Sequence, residues 1–152
     1  MKVKISKSDP NIELPKYGTK ESAGFDIASN KDLVVPAGGV EKIPTGLIIE
    51  APEGYFLLVS ARSSLSVKKG LTLANGIGVV DRDYSGPKDE IYIIVHNFTN
   101  NSVEVKKGER VAQGIFLPVS QAEWEVLGEL RKEDRGGFGS TGGYIDSEKV
   151  IS

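Results

Sequence analysis

Apolar residues in this chain come in short runs rich in Val, Ile and Leu, each bounded by glycine, proline or a small polar cluster. Residues 3–5 alternate apolar and charged, Leu33-Val34-Val35 is closed by Pro36-Ala37-Gly38-Gly39, and Leu47-Ile48-Ile49 follows Pro44-Thr45-Gly46. Runs too short for helices and separated by turn residues predict many short β-strands. Pro44 withholds an amide from any ladder, so it belongs at an edge or a bend. Tyr55-Phe56-Leu57-Leu58-Val59 is apolar throughout and predicts a strand buried on both faces. In residues 90–97, Ile91, Ile93 and Val95 fall on one face, and Tyr92, Ile94 and His96 on the other. Residues 103–105 alternate, and residues 110–119 make a longer strand. Ala122, Trp124 and Val126 alternate with Glu123 and Glu125, which predicts a last strand, with a short helix as its rival. One turn of helix is expected at Ser63–Lys69, opened by a serine cap and closed by Gly70.

The pattern changes beyond Gly128. Residues 131–135 are charged, and residues 136–143 hold five glycines with one Phe, one Ser and one Thr. Such a stretch cannot pack a core. The expected architecture is therefore an all-β barrel or sandwich over residues 1–127, followed by a flexible Gly-rich C-terminal arm over residues 128–152.

Composition narrows the chemistry. With 19 basic and 21 acidic residues, no strong field draws the protein to nucleic acid or to an acidic membrane surface. There is no cysteine, hence no disulfide, no thiolate nucleophile and no sulfur-ligated metal. His96 is the single histidine, which argues against a zinc site and against a Ser-His-Asp triad. It reads most simply as a strand side chain near a sheet end. Any metal is expected to be a hard, oxygen-bound ion. The first residues lack the apolar block of a signal peptide and no run is long enough to span a bilayer, so a soluble, cytoplasmic protein is expected.

The stretch Asn75-Gly76-Ile77-Gly78-Val79-Val80-Asp81-Arg82-Asp83-Tyr84-Ser85-Gly86 places carboxylates and a ring between glycines and an apolar run. It predicts a hairpin whose glycines let the backbone come close to a flat ligand, with residues 90–97 as its return strand. The alternative is a surface turn in which Asp83 and Ser85 bond the local backbone. Four other segments carry site-like chemistry. Ala61-Arg62-Ser63-Ser64 sets a guanidinium and two hydroxyls where a strand becomes a helix, suited to anions or to plain capping. Arg110 and Gln113 sit at a strand entry, where a surface ion pair is the simpler reading. Gly136-Gly137-Phe138-Gly139-Ser140-Thr141-Gly142 can wrap a phosphate as a backbone nest, and Phe138 can stack on a base. It is no P-loop, because Gly-Lys-Ser/Thr is missing. Asp26, in a loop expected around Ser22-Ala23-Gly24-Phe25-Asp26, offers a carboxylate to a hydrated divalent ion. Anion binders, a ring and carboxylates together suggest a nucleotide phosphate substrate.

These five segments, in this order, resemble the five motifs of the trimeric deoxyuridine triphosphate pyrophosphatases (dUTPases), and the resemblance covers nearly all of residues 10–142. It implies a jelly-roll-like β barrel, assembled as a homotrimer whose three active sites each draw on all three chains. Its implied reaction is Mg²⁺-assisted hydrolysis of dUTP to dUMP and pyrophosphate, which limits uracil in DNA and supplies dUMP for thymidylate synthesis. Carried over by residue, Asp81 is the general base that activates water against the α-phosphorus. The backbone from Asn75 through Gly78 to Val80, with the Asn75 side chain, reads uracil, and Tyr84 lies under the deoxyribose and excludes a 2′-hydroxyl. Arg62, Ser63, Ser64, Arg110 and Gln113 serve the phosphates. Arg135, Gly139, Ser140 and Thr141 close over the γ-phosphate while Phe138 covers the uracil, and Asp26 meets Mg²⁺ through water. The chain departs from the family pattern in three places: only two glycines separate Arg135 from Phe138, Pro87-Lys88-Asp89 is a short insertion, and residues 143–152 extend past the arm. Two rivals remain on the same scaffold, a dCTP deaminase and a non-catalytic nucleotide-sensing trimer.

Overall fold

The structure is a computed structural model that describes residues 1–131 and 133–136. The chain divides into two compact units, Met1–Ser120 and Gln121–Ser152. The first contains twelve strands and one helix: β1 Lys4–Lys7, β2 Lys16–Tyr17, β3 Phe25–Ala28, β4 Leu33–Val35, β5 Val40–Pro44, β6 Leu47–Glu50, β7 Tyr55–Ala61, α1 Ser63–Lys69, β8 Leu71–Leu73, β9 Gly78–Val80, β10 Tyr92–Asn97, β11 Val103–Val105 and β12 Arg110–Pro118. This is the all-β fold that the short apolar runs predict.

All the strand pairs are antiparallel. A five-stranded sheet runs β2-β3-β12-β7-β9 and a three-stranded sheet β5-β10-β8, with the pairs β1-β6 and β11-β4 completing the fold. Inward side chains from all four sheets meet in a single core: Phe25, Ile27, Leu57 and Val59 against Ile43, Ile93 and Val95, with Ile49, Val35 and Val105. Alternation explains the placement, since every second residue of an antiparallel strand faces inward. In β10, Ile93 and Val95 are buried while Tyr92 is exposed and His96 half-buried. Asn97 is buried too, but its side-chain amide donates to the carbonyl oxygens of Val35 and Asn101, which removes the cost of burying a polar group.

Several expectations need correction. The residue 75–86 stretch does not pair with the strand at Tyr92–Asn97. Instead β9 pairs with β7, while β10 pairs with β5 and β8. The chain thus leaves one sheet after β8 and enters the other at β9. Strand β7 is fully buried on one face only, at Leu57 and Val59, with Leu58 half-covered. Helix α1 is capped by Arg62 through its backbone geometry, without a side-chain cap bond, rather than by a serine; Gly70 closes it in the left-handed region, φ 65°, as expected. Asp26 sits on strand β3, not in a loop. Pro44, by contrast, is where its missing amide predicts, at the end of β5, an edge strand.

No strand or helix occurs at Ala122–Trp124–Val126. Trp124 and Val126 are 89% and 94% exposed, so the alternation there has no partner strand, and an unpaired strand is not stable in water. Phe138, Gly139, Ser140 and Thr141 lie outside the described residues. Among those described, no helix is long and apolar enough to cross a membrane.

Candidate active site

Strands β3, β12 and β7 lie side by side and bring three of the five segments together. Gln113 is opposite Asp26 on one side and Ser60 on the other. Arg110 and Gln113 are three residues apart, an odd spacing that would put them on opposite faces of a regular strand. The β12–β3 register shifts between Arg110 and Ala112, so Val111 is an extra residue and both side chains share the face that carries Asp26. Val111 and Ala112 are consecutively buried as a result.

Asp26 is the centre of this cluster. Its Oδ1 lies 2.9 Å from Arg62 Nε and its Oδ2 accepts a hydrogen bond from an Arg110 guanidinium nitrogen at 2.9 Å. The Asp26 side chain is 20% exposed, that of Arg62 29% and that of Arg110 58%, so the pairing is partly shielded from water and the two cations are not equally presented. A guanidinium held by a carboxylate on one side keeps other N–H donors for a second anion. Gln113 donates to the Ala61 carbonyl at 3.3 Å. Directly after Arg62, Ser63 is exposed and Ser64 half-buried on α1. Asp26 and Arg110 also line a cleft of about 430 Å³ shared with Asn11, Glu13, Asn30 and Lys107.

The second group is built differently. After β8 the chain turns at Gly76, φ 72°, with its amide donating to the Leu73 carbonyl at 3.2 Å. Gly78 then enters β9 opposite Val59, so close that an added Cβ would lie 3.0 Å from the Val59 Cβ. A side chain there would press on Val59 more tightly than ordinary packing allows, so glycine suits this close approach. Val80 pairs with Leu57. Asp81 and Tyr84 follow in a turn, the Tyr84 amide donating to the Asp81 carbonyl at 3.2 Å. Asn75, Asp81 and Tyr84 are all exposed. Among the described residues Asp81 forms no ion pair, whereas neighbouring Arg82 reaches Glu50 at 3.7 Å.

Strand β7 measures the gap between the groups. Val80 is opposite Leu57; β7 ends four residues further along at Ala61, and Arg62, five residues from Leu57, follows in extended backbone as the N-cap of α1. At about 3.3 Å per residue this is roughly 16 Å, and the chain after Val80 runs away from Arg62 because β9 is antiparallel. The register therefore unites Asp26, Arg62, Arg110 and Gln113 in one place and sets Val80 and Asp81 away from it, whereas Gly78, opposite Val59, lies two residues nearer Arg62 than Val80 does. Arg135 is exposed, in the second unit.

The sequence reading passed over Glu90. Its carboxylate accepts the Gly46 amide at 2.7 Å, and its carbonyl accepts the Tyr84 hydroxyl at 3.1 Å. Hydrogen bonding to this carboxylate, and then its charge, push the Tyr92 phenol above its ordinary value. A carboxylate just ahead of the alternating Ile91–Val95 run was the available signal, but its partner Gly46 is far away in sequence.

A β-fold that carries two arginines paired to one carboxylate, and a glycine-bent, acid-bearing loop set apart from them, has the chemistry expected of an anion-binding β protein. A family model described as dUTPase matches residues 10–142. The chain is 43% identical over 144 residues to a deoxyuridine 5′-triphosphate nucleotidohydrolase of Nautilia profundicola, covering 93% of this chain and 99% of that one. Its fold is similar to the crystal structure of dUTPase from Streptococcus mutans, with TM-score 0.73 and 34% identity over 80% of this chain and 98% of the other. It is also similar to the Staphylococcus bacteriophage 80alpha dUTPase solved with dUpNHpp, with TM-score 0.82 and 25% identity over 93% and 98% of the two chains. The chain belongs to the dUTPase family and is a deoxyuridine 5′-triphosphate nucleotidohydrolase.

Proposed function

We propose that this dUTPase cleaves dUTP to dUMP and pyrophosphate by water attack on the α-phosphorus, in a homotrimer whose active sites are each shared between chains. The observation that carries this reading is the separation along β7. A general base must reach its water at about 2.6–3.2 Å, and that water must reach the phosphorus. Asp81 and the arginine cluster of one chain, roughly 16 Å or more apart by strand rise, are poorly placed to serve the same phosphate. A second copy supplies the missing half: one chain offers Asp26, Arg62, Ser63, Ser64, Arg110 and Gln113, and a neighbour offers its residue 75–86 loop.

In this arrangement Asp81, exposed and unpaired by any cation among the described residues, orients the attacking water and takes its proton. Arg62, Arg110, the α1 serines and Gln113 hold the phosphates and offset the charge that builds as the bond to pyrophosphate breaks. Positioning and charge neutralisation are the main demands of phosphoryl transfer. The backbone of residues 75–80 pairs with the uracil edge, and the Tyr84 ring packs under the sugar. Arg135, Phe138, Gly139, Ser140 and Thr141 of an arm cover the bound nucleotide and exclude water. A cytoplasmic setting suits this substrate and the cysteine-free chain.

Mg²⁺ fits as a partner of the substrate rather than of a protein cage. Among the described residues no group of three or more His, Asp or Glu could hold a metal, and both Asp26 oxygens are already engaged by arginines. Mg²⁺ characteristically keeps several waters and binds through phosphate oxygens. Asp26, facing the cleft, would then touch one of those waters. When bound, the ion neutralises phosphate charge.

The test is hydrolysis of dUTP in ¹⁸O-labelled water with Mg²⁺. The label is expected in dUMP, with unlabelled pyrophosphate. Label in an inorganic phosphate product, or ammonia released from dCTP in place of dUTP hydrolysis, would overturn the proposed reaction.

A further inference from the structure

Tyr84 sits on an exposed loop, yet discriminating a sugar that has a 2′-hydroxyl from one that lacks it demands a ring fixed to a fraction of an ångström. The loop closes on itself first. The Gly86 amide donates to the Asp89 carboxylate at 2.7 Å and the Asp89 amide returns a bond to the Gly86 carbonyl at 3.1 Å, so the Pro87-Lys88-Asp89 insertion forms its own small turn. These bonds shape the loop but do not attach it to the barrel. The loop reaches the barrel through the Arg82–Glu50 ion pair at 3.7 Å and through the Tyr84 hydroxyl, which donates to the Glu90 carbonyl at 3.1 Å and is the contact that holds the ring itself.

That carbonyl is itself tied down. The Glu90 carboxylate takes the Gly46 amide at 2.7 Å, the Ile91 amide donates to the Leu47 carbonyl at 2.9 Å, and the Thr45 hydroxyl donates to the Ile91 carbonyl at 2.7 Å. Residues 45–47 and 90–91 are thus laced together. The Gly46 side of the lacing is held as well. Gly46 lies at φ 68°, any side chain there would collide with Ile12, and its carbonyl accepts the Ser8 amide at 2.9 Å. A carboxylate bonded to a backbone amide that is itself held ties its own backbone to the same part of the fold.

We infer that Glu90 is a positioning residue for sugar selection: by grasping the Gly46 amide it fixes the carbonyl from which the Tyr84 hydroxyl hangs, and so sets how close the Tyr84 ring stands to the 2′-carbon. The inference rests on the proposed role of Tyr84 as the sugar gate. Glu90 touches no substrate and acts only through Tyr84. Loss of its grip lets the ring recede and admits the ribonucleotide, while the water, the base and the phosphate contacts stay as they were.

The experiment is steady-state kinetics of the full-length enzyme with dUTP and UTP, comparing wild type, Glu90→Ala, Glu90→Gln, Tyr84→Phe and Tyr84→Ala. Glu90→Ala is expected to lower the kcat/KM ratio of dUTP over UTP by about three- to tenfold, the scale of one hydrogen bond, chiefly by improving UTP. Glu90→Gln keeps an oxygen acceptor for Gly46 and should restore the wild-type ratio. Tyr84→Phe should lower the ratio similarly, and adding Glu90→Ala to it should change little further, because both remove the same linkage. A Glu90→Ala enzyme that loses thermal stability and slows on both nucleotides equally, with its ratio unchanged, would overturn the inference. If Glu90→Ala fails to fold, Tyr84→Phe decides: an unchanged ratio rejects the linkage. Should Tyr84→Ala leave UTP rejection intact, the sugar gate itself falls; should it abolish rejection while Glu90→Ala and Tyr84→Phe do nothing, only the role of Glu90 falls.

Discussion

The two halves of the candidate site are held by opposite means. The Asp26–Arg62–Arg110 cluster is built on strands β3 and β12 and the end of β7, with its charges already paired and its positions set by strand register and one bulge. The residue 75–86 loop keeps Asn75, Asp81 and Tyr84 exposed and hangs from β7 by three register pairs, from β6 by the Arg82–Glu50 ion pair and from β10's approach by one tyrosine hydroxyl. A phosphate binder gains from preorganised charge, because positive groups that repel one another need a carboxylate between them before substrate arrives. A base reader gains from free backbone donors and acceptors, which a ladder would consume. The contrast teaches that the loop's functional groups are offered outward; on the proposed reading, the cluster receives a loop of this kind from another copy.

The sharpest way to break the contrast is at Asp81. If the loop contributes chemistry and the cluster contributes binding, Asp81→Asn should lower kcat by about 10²- to 10⁴-fold, the usual share of a general base, with nucleotide affinity little changed. Isothermal titration with a non-hydrolysable dUTP analogue alongside turnover separates the two quantities; near-normal kcat removes Asp81 from the chemistry. Next in size is Arg62→Ala, which should reduce kcat/KM by about 10- to 100-fold, mainly through KM, as expected for one charge-assisted contact to phosphate. Mixing the two variants sharpens the comparison further. Co-refolded Asp81→Asn and Arg62→Ala chains should regain part of the wild-type rate, because some sites then combine an intact loop with an intact cluster. Mixed assemblies that form by native mass spectrometry yet stay inactive would place both halves in one chain.

How far the chain's own pattern reveals this depends on whether the information is local. Alternation at Ile93 and Val95 marks the inward face of β10, and Gly70 marks the helix end, because each follows from a side chain's immediate periodicity or backbone freedom. Pairing is not local. Nothing in Gly78-Val79-Val80 states that its partner is β7 rather than the next strand, so the expected hairpin had the wrong neighbour. The bulge at Val111 is equally silent, since its effect is visible only once Arg110 and Gln113 are seen beside Asp26. Trp124 and Val126 show the converse: alternation promises a strand, but no ladder is there to accept one. The five segments themselves were recognisable; that Asp26 engages two arginines, and that Glu90 holds Gly46, required long-range register.

The smallest expected effect tests whether the platform is in fact the stiffer of the two halves. Gly114 follows Gln113 on β12, and a Cβ there would come within 2.5 Å of the Phe25 ring and 3.0 Å of Leu57, atoms packed in the core. Gly114→Ala should therefore cost about 1–3 kcal/mol of stability by overpacking, and the displaced strand should carry Gln113 and Arg110 with it, raising KM. Gly76 adopts φ 72° but has nothing within 4 Å of a Cβ. Gly76→Ala pays only the left-handed backbone strain, about 1–2 kcal/mol, and a loop tip can relieve part of it by shifting. Thermal unfolding of both variants beside wild type checks the order. Gly114→Ala should melt first, because the strain enters a close-packed interior that cannot relax, whereas the loop's open surroundings let it yield. Were Gly76→Ala the more damaging of the two, the loop would have to be as tightly held as the sheet, and the division between a rigid phosphate platform and an adaptable base-reading loop would no longer stand.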